Sequence, residues 1–260
     1  MPHYQPEDSL RSPRFTGIPT FARLPYVRTL EDVDLVVIGV PFDTATTYRT
    51  GGRFGPNAVR AASVMLRPYN PAQEVSPFEI LSCIDYGDIA IVPGSTPRSY
   101  EAIEREVTPV VEAGVIPLLI GGDHSCTLPH LRATRSKGPV AVIMFDSHTD
   151  AWDNHFGEKY THGTWMRRAI EEGLVDTAHS IEVGLRGQLY DSADWTVLTD
   201  ELGLDYVACR DLLRDGIDFV GFDVVEVIPA YDPGGVTATL SANLAFEMVS
   251  LAAVWRRDRS

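Results

Sequence analysis

The chain has 260 residues, 44% of them apolar and 22% charged, with a net charge of −14. Those proportions are ordinary for a soluble globular protein with one large core. The acidic balance argues against nucleic acid, which needs a basic face; it is compatible with a small cationic substrate, but plain solubility is the favoured account of the charge alone.

In chain order, the first thirty residues read as an irregular arm, suited to packing on a neighbouring subunit. The opening stretch MPHYQPEDSLRSPRF lacks a basic n-region and an apolar h-region, so no signal peptide is expected. Strands are expected at 35–40, 79–84, 115–120, 140–145, 180–184 and 219–227. Most are continuous apolar runs, the mark of strands buried on both faces of a parallel sheet. Helices are expected at 57–66, 99–113, 127–135, 164–172 and 242–255, and loops at 49–56 and 91–98. The alternation predicts a single α/β domain over 1–260, a three-layer α/β/α stack with a mainly parallel central sheet. No apolar stretch approaches the ~18 residues of a membrane span, so no membrane partner is expected. Cys83, Cys126 and Cys209 form a sparse, odd set without CxxC spacing. They read as free thiols in a reducing, cytoplasmic compartment.

In open α/β sheets, ligands sit beyond the carboxyl ends of the strands. Three such ends are polar here. The run to Ile120 enters GGDHS (121–125), the run to Phe145 enters DSHTD (146–150), and a third run carries DVVEV (223–227). In DSHTD, Asp146, His148 and Asp150 alternate and would share one side of an extended segment. Two carboxylates packed without a cation repel, and one must take a proton. A divalent metal removes that penalty. On spacing alone, a metal site and a solvated acidic loop are evenly matched.

GGDHS shifts the balance. Gly121 and Gly122 permit a tight turn, and His124 would reach the same sheet edge. Oxygen-rich ligation with two imidazoles suits Mn2+ better than a thiolate-seeking metal. It also suits two ions bridged by Asp146. His162, in YTHGTW, is either an unremarkable loop histidine or a proton shuttle beside activated water. Glu226 sits in an apolar strand and needs a partner. A cationic substrate is one candidate; a structural arginine, Arg53 or Arg186, is the other. A phosphate-loop reading of GGDHS is weak, because the loop lacks GxGxxG and GxxxxGK[ST] spacing.

Taken together, FTGIPTFARLP (15–25), VIGVPFDTATTYRTGGRFGPNAVRAAS (37–63), IGGDHS (120–125), MFDSHTD (144–150), HGTWMRRA (162–169), VGLRG (183–187) and VGFDVVEVIPAYDPGGVTATLSANLAFE (220–247) resemble the arginase/agmatinase superfamily of ureohydrolases, on its agmatinase-like side. Ser147 stands where that family more often has Ala. The resemblance implies a dinuclear manganese hydrolase that splits a guanidino group to urea and an amine, in trimers or hexamers. Carried over by position, His124, Asp146 and Asp150 match ligands of one Mn2+. His148 matches a ligand of the second, with Asp146 shared. His162 matches the proton-transfer histidine, Asp150 is a second relay candidate, and Glu226 matches the acid that pairs with the guanidinium. The substrate-side loop AWDNHFGEKY offers Asp153, Asn154 and His155 to the substrate tail, with Trp152 and Phe156 either walling the pocket or packing as core. Agmatine, guanidinobutyrate, other guanidino acids and guanidine all remain candidate substrates.

One expected piece is absent. Relatives carry a pattern like SxDxDxxDPxxxPGTGTP, on a central strand, before the GFDVVEV equivalent. Here DYVACRDLLRDGID (205–218) runs straight into FVGFDVVEV. Two metal-binding acids are thereby lost unless Asp223 moves in to replace one. A catalytically impaired subunit with an assembly role is therefore the alternative function.

Overall fold

The computed structural model describes residues 2–185, 190–191, 197–204 and 220–259. Arg186 and Cys209 lie outside the described residues. The run LVVIG forms β1 (Leu35–Gly39), buried along its whole length. β2 (Cys83–Asp88), β3 (Ile116–Ile120) and β6 (Phe222–Val224) join it in a parallel sheet of order β2-β1-β3-β6. β4 (Ile143–Phe145) and β5 (Ile181–Val183) pair in parallel as a separate two-stranded sheet.

Successive strand residues point to opposite faces, and both faces here are apolar. Val36 and Ile38 pack with α2 (Thr96–Glu112), α3 (Thr127–Ala133) and α4 (Trp165–Glu171), through Ile103, Val107, Leu128, Trp165 and Met166. Leu35 and Val37 pack on the other side with α1 (Gly55–Ser63) and α5 (Val236–Arg257), through Val59, Ala242, Phe246 and Val249. This is the expected three-layer α/β/α arrangement, with its strands divided between two sheets.

The strand expected at 79–84 lies later. Pro77–Glu79 is a 3-10 turn, and the strand is CIDYGD. Charge hid it: Asp85 is buried inside the ladder, where the Arg60 guanidinium binds it at 2.8 and 3.0 Å. A paired carboxylate can sit in a core strand that an unpaired one would break. α5 also starts before its expected 242. Gly235, at φ 64°, turns the chain, and Asp232 accepts from the Val236 and Ala238 amides at 2.9 and 3.1 Å. With that extension α5 is long and apolar enough, by length and composition, to cross a membrane, but half of that stretch is buried inside the protein. It is a core helix packed on α1 and β6.

Part of the N-terminal arm is stitched to its own chain. The Phe21 amide donates to Asp85 at 2.8 Å, the Ala22 amide donates to Ser63, and Arg23 pairs with Glu7. Leu10, Phe15 and Ile18 are exposed.

Candidate active site

β3 ends in Gly121-Gly122. A Cβ on Gly122 would strike the Phe42 carbonyl, so only glycine fits there. The chain then turns through Asp123, whose side chain accepts from the Ser125 amide and opens a 3-10 turn that begins at His124. Burial pushes the Asp123 carboxyl up to about 7. β4 delivers Asp146, whose amide donates to Val183 of β5, and Asp146 in turn accepts from the His148 amide. Asp150 adopts φ 47°, and its carboxylate accepts from Trp165 Nε1 at 2.8 Å.

These elements bring three donors together. His124 Nδ1 lies 2.8 Å from an oxygen of Asp146 and 2.8 Å from one of Asp150. The three ligand atoms lie within 4.8 Å of one another. Despite these distances, the buried Nδ1 has no aligned hydrogen-bond acceptor. Burial alone would drive the imidazole pKa down, yet the two carboxylates hold it well above its usual value. An orphaned nitrogen beside two convergent carboxylates is the donor set of a divalent cation, so the residues present fit one ion.

Glu226 borders this group. Its amide donates to the Gly122 carbonyl at 2.7 Å, and its Oε1 accepts from the His124 amide at 2.6 Å. Its φ is 63°, unfavourable for a non-glycine residue. Burial raises its pKa. Arg53 is not its partner: it bonds Asp43 through Nε at 2.6 Å. His162 faces Glu226 at 3.9 Å and meets the Thr47 hydroxyl at 2.9 Å.

Other expected residues fall elsewhere. The His148 side chain is 64% exposed, with Nδ1 3.5 Å from Asp146, and no second group of three or more donors forms around it among the described residues. Asp223 has not moved into the site. It accepts from Thr127 at 2.8 Å and lies 3.7 Å from His130; despite burial, these contacts hold its pKa below the usual carboxylate range. Asp153 pairs with Arg168 at 2.8 Å, and Asn154 accepts from the Gly157 amide at 3.2 Å, closing its loop. Trp152 packs edge-on against His155, while Phe156 is exposed. Thr47, Trp165 and Glu182 also border the site without having been marked by the sequence pattern. Trp165 follows His162 closely in HGTW, and Glu182 is an acid in an apolar strand, the same signal that marked Glu226.

The Arginase family model matches residues 33–220 and 213–250. The chain belongs to the arginase family. It is 36% identical to a guanidinobutyrase from Pseudomonas aeruginosa, over 95% of this chain and 96% of the relative. It is 34% identical to the mitochondrial agmatinase of Gallus gallus, over 91% and 86%. Among solved structures, proclavaminate amidinohydrolase from Streptomyces clavuligerus superposes with a TM-score of 0.80 at 30% identity, covering 94% of this chain and 99% of that one. As an arginase-family chain it shows one irregularity. Its alignment to the guanidinobutyrase runs over 305 residues, more than its own length, and the family match comes in two pieces that meet at 213–220.

Proposed function

We propose that the chain hydrolyses a small guanidino compound to urea and an amine, with Mn2+ as cofactor. The observation that carries this reading is the convergence of buried His124 and Asp150 with half-buried Asp146 next to Glu226. When bound at such a group, a divalent cation lowers the pKa of water and supplies a nucleophile at neutral pH. His124, Asp146 and Asp150 would hold it. Glu226 is rigidly presented by its bond to the His124 amide, and its carboxylate suits a planar guanidinium through charge-assisted hydrogen bonds. His162, kept in place by Thr47 and facing Glu226, is positioned to pass a proton to the leaving amine, with Asp150 as the second relay. The relatives' names cover both guanidino acids and agmatine, and we assign the shared guanidino group as the part recognised. The two-ion state implied by the resemblance would need His148 to turn inward and gain further acids. The setting we propose is cytoplasmic, supported by the buried free thiols of Cys83 and Cys126, with assembly as a trimer or hexamer proposed from the family resemblance alone.

A second reading has its own observation. The interrupted family match at 213–220 favours a subunit that retains fold and assembly without turnover. Intact mass, metal content and urea release measured on one Mn2+-loaded sample separate the two. Urea from agmatine, guanidinobutyrate or guanidine supports the enzyme. An intact oligomer of the expected mass that forms no urea from any of them supports the assembly role and sinks the first.

A further inference from the structure

Glu182, at the middle of β5, is a buried acid without a partner. The residue is 3% exposed, and neither carboxylate oxygen has a hydrogen bond or ion pair among the described residues. Buried carboxylates are costly unless paired or bound to a cation. Strand register says where this one is aimed. Glu182 stands opposite Met144 in the parallel pair. Neighbours across such a pair share a face, and Asp146 follows two residues after Met144, so Asp146 and Glu182 emerge on the same side. The electrostatics agree. Burial first, then repulsion from Asp150 and Asp146, pushes the Glu182 carboxyl up to about 9, while His124 opposes the rise. Without a cation among these acids, Glu182 is held in its protonated form; a bound divalent ion would let it ionise beside Asp146 and Asp150.

We propose that Glu182 is a fourth protein donor to the divalent cation held by His124, Asp146 and Asp150. It lies outside the three-atom group; its three side-chain torsions let the carboxylate swing toward the ion while the β5 backbone stays paired. A third carboxylate would make a mononuclear site of one imidazole and three acids, oxygen-rich enough to favour Mn2+. The inference rests on the proposed function only for the presence of an ion.

Chelator-treated full-length protein titrated with Mn2+ in a calorimeter, alongside thermal unfolding with and without Mn2+, tests it. Glu182→Gln is expected to weaken Mn2+ binding by about tenfold or more. It should leave the metal-free Tm unchanged or higher, since a buried unpaired acid has been removed, and shrink the Tm gain on adding Mn2+. Glu182→Met, of similar volume, stands in if the glutamine variant fails to fold. Wild-type Mn2+ affinity together with a full metal-induced Tm gain in either variant overturns the inference. So does failure of both variants to fold, which would make Glu182 a structural residue. Wild-type protein that binds no Mn2+ would sink the proposed function as well, whereas wild-type binding with unaffected variants sinks only the role of Glu182.

Discussion

The four-stranded sheet and the β4–β5 pair are built on different terms. In the first, β1 and β3 are five-residue strands with apolar helices on both faces, and Leu35, Val37 and Leu118 are fully buried. In the second, the strands are three residues long, and Phe145 is 69% exposed. The candidate site draws on both. His124 and Glu226 come from the ends of β3 and β6, Asp146 and Glu182 from β4 and β5, and Asp150 from the loop after β4. The well-packed sheet fixes one half of the donor set, and the thinner pair presents the acids that need a cation. A bound ion would hold the two halves together.

The largest expected effect comes from cutting that link. Asp146→Asn removes a carboxylate of the thin pair that touches His124 of the thick sheet. Metal affinity and urea release should fall together by at least about 100-fold, beyond what losing an outer-shell partner costs. Metal content by mass spectrometry and urea by colorimetry check this on one sample. Retention of both would show that the halves are not joined through Asp146. Glu226→Gln acts from the thick sheet alone. It keeps an acceptor for the His124 amide and loses the charge, so metal content should hold while kcat/KM drops roughly 10- to 100-fold. Metal loss in that variant would mean that Glu226 serves the ion rather than the substrate.

Packing sharpens the same contrast. Leu118→Ala opens a cavity where both faces are covered and should cost about 2–5 kcal/mol in chemical unfolding. Met144→Ala, also buried but on the short β4 strand beside the exposed Phe145, should fall at the low end of that range, because its surroundings can relax. Equal costs near the upper end would show the thin pair to be as rigid as the main sheet.

What was legible in the sequence follows the same division. Continuous apolar runs located β1 and β3 within a residue, because burial on both faces leaves no other pattern. β2 was displaced because the expected run stopped at Ile84, short of the acids Asp85 and Asp88, and only the fold brings Arg60 to Asp85. At the site, local spacing gave Asp146 and Asp150, and GGDHS gave His124. Short-range pattern could not say that His148 turns outward or that Asp223 spends its charge on Thr127 and His130. Those outcomes depend on neighbours distant in the chain. Glu182 was passed over as one acid in a short strand, although its opposition to Met144 in the ladder is what places it beside Asp146.

The smallest expected effect concerns the loop that the sequence offered to the substrate. Asp153 lies in the polar stretch after Asp150 and reads as a tail-recognition residue. Its carboxylate is instead taken by Arg168, which also reaches Glu171 at 3.0 Å. The hydrogen bond from Arg168 holds its pKa below the ordinary value. Asp153 stands in solvent although Arg168 is buried, and a carboxylate already bonded to an arginine is poorly placed to attract a second cation. Asp153→Asn should therefore change KM for agmatine by less than about twofold, since the variant still offers Arg168 an oxygen and the Asp153 side chain itself stands in solvent. A rise in KM for agmatine that is absent for guanidinobutyrate would reverse this assignment. Asp153 would then leave Arg168 to read a cationic tail, and substrate choice would be set on the thin side of the molecule.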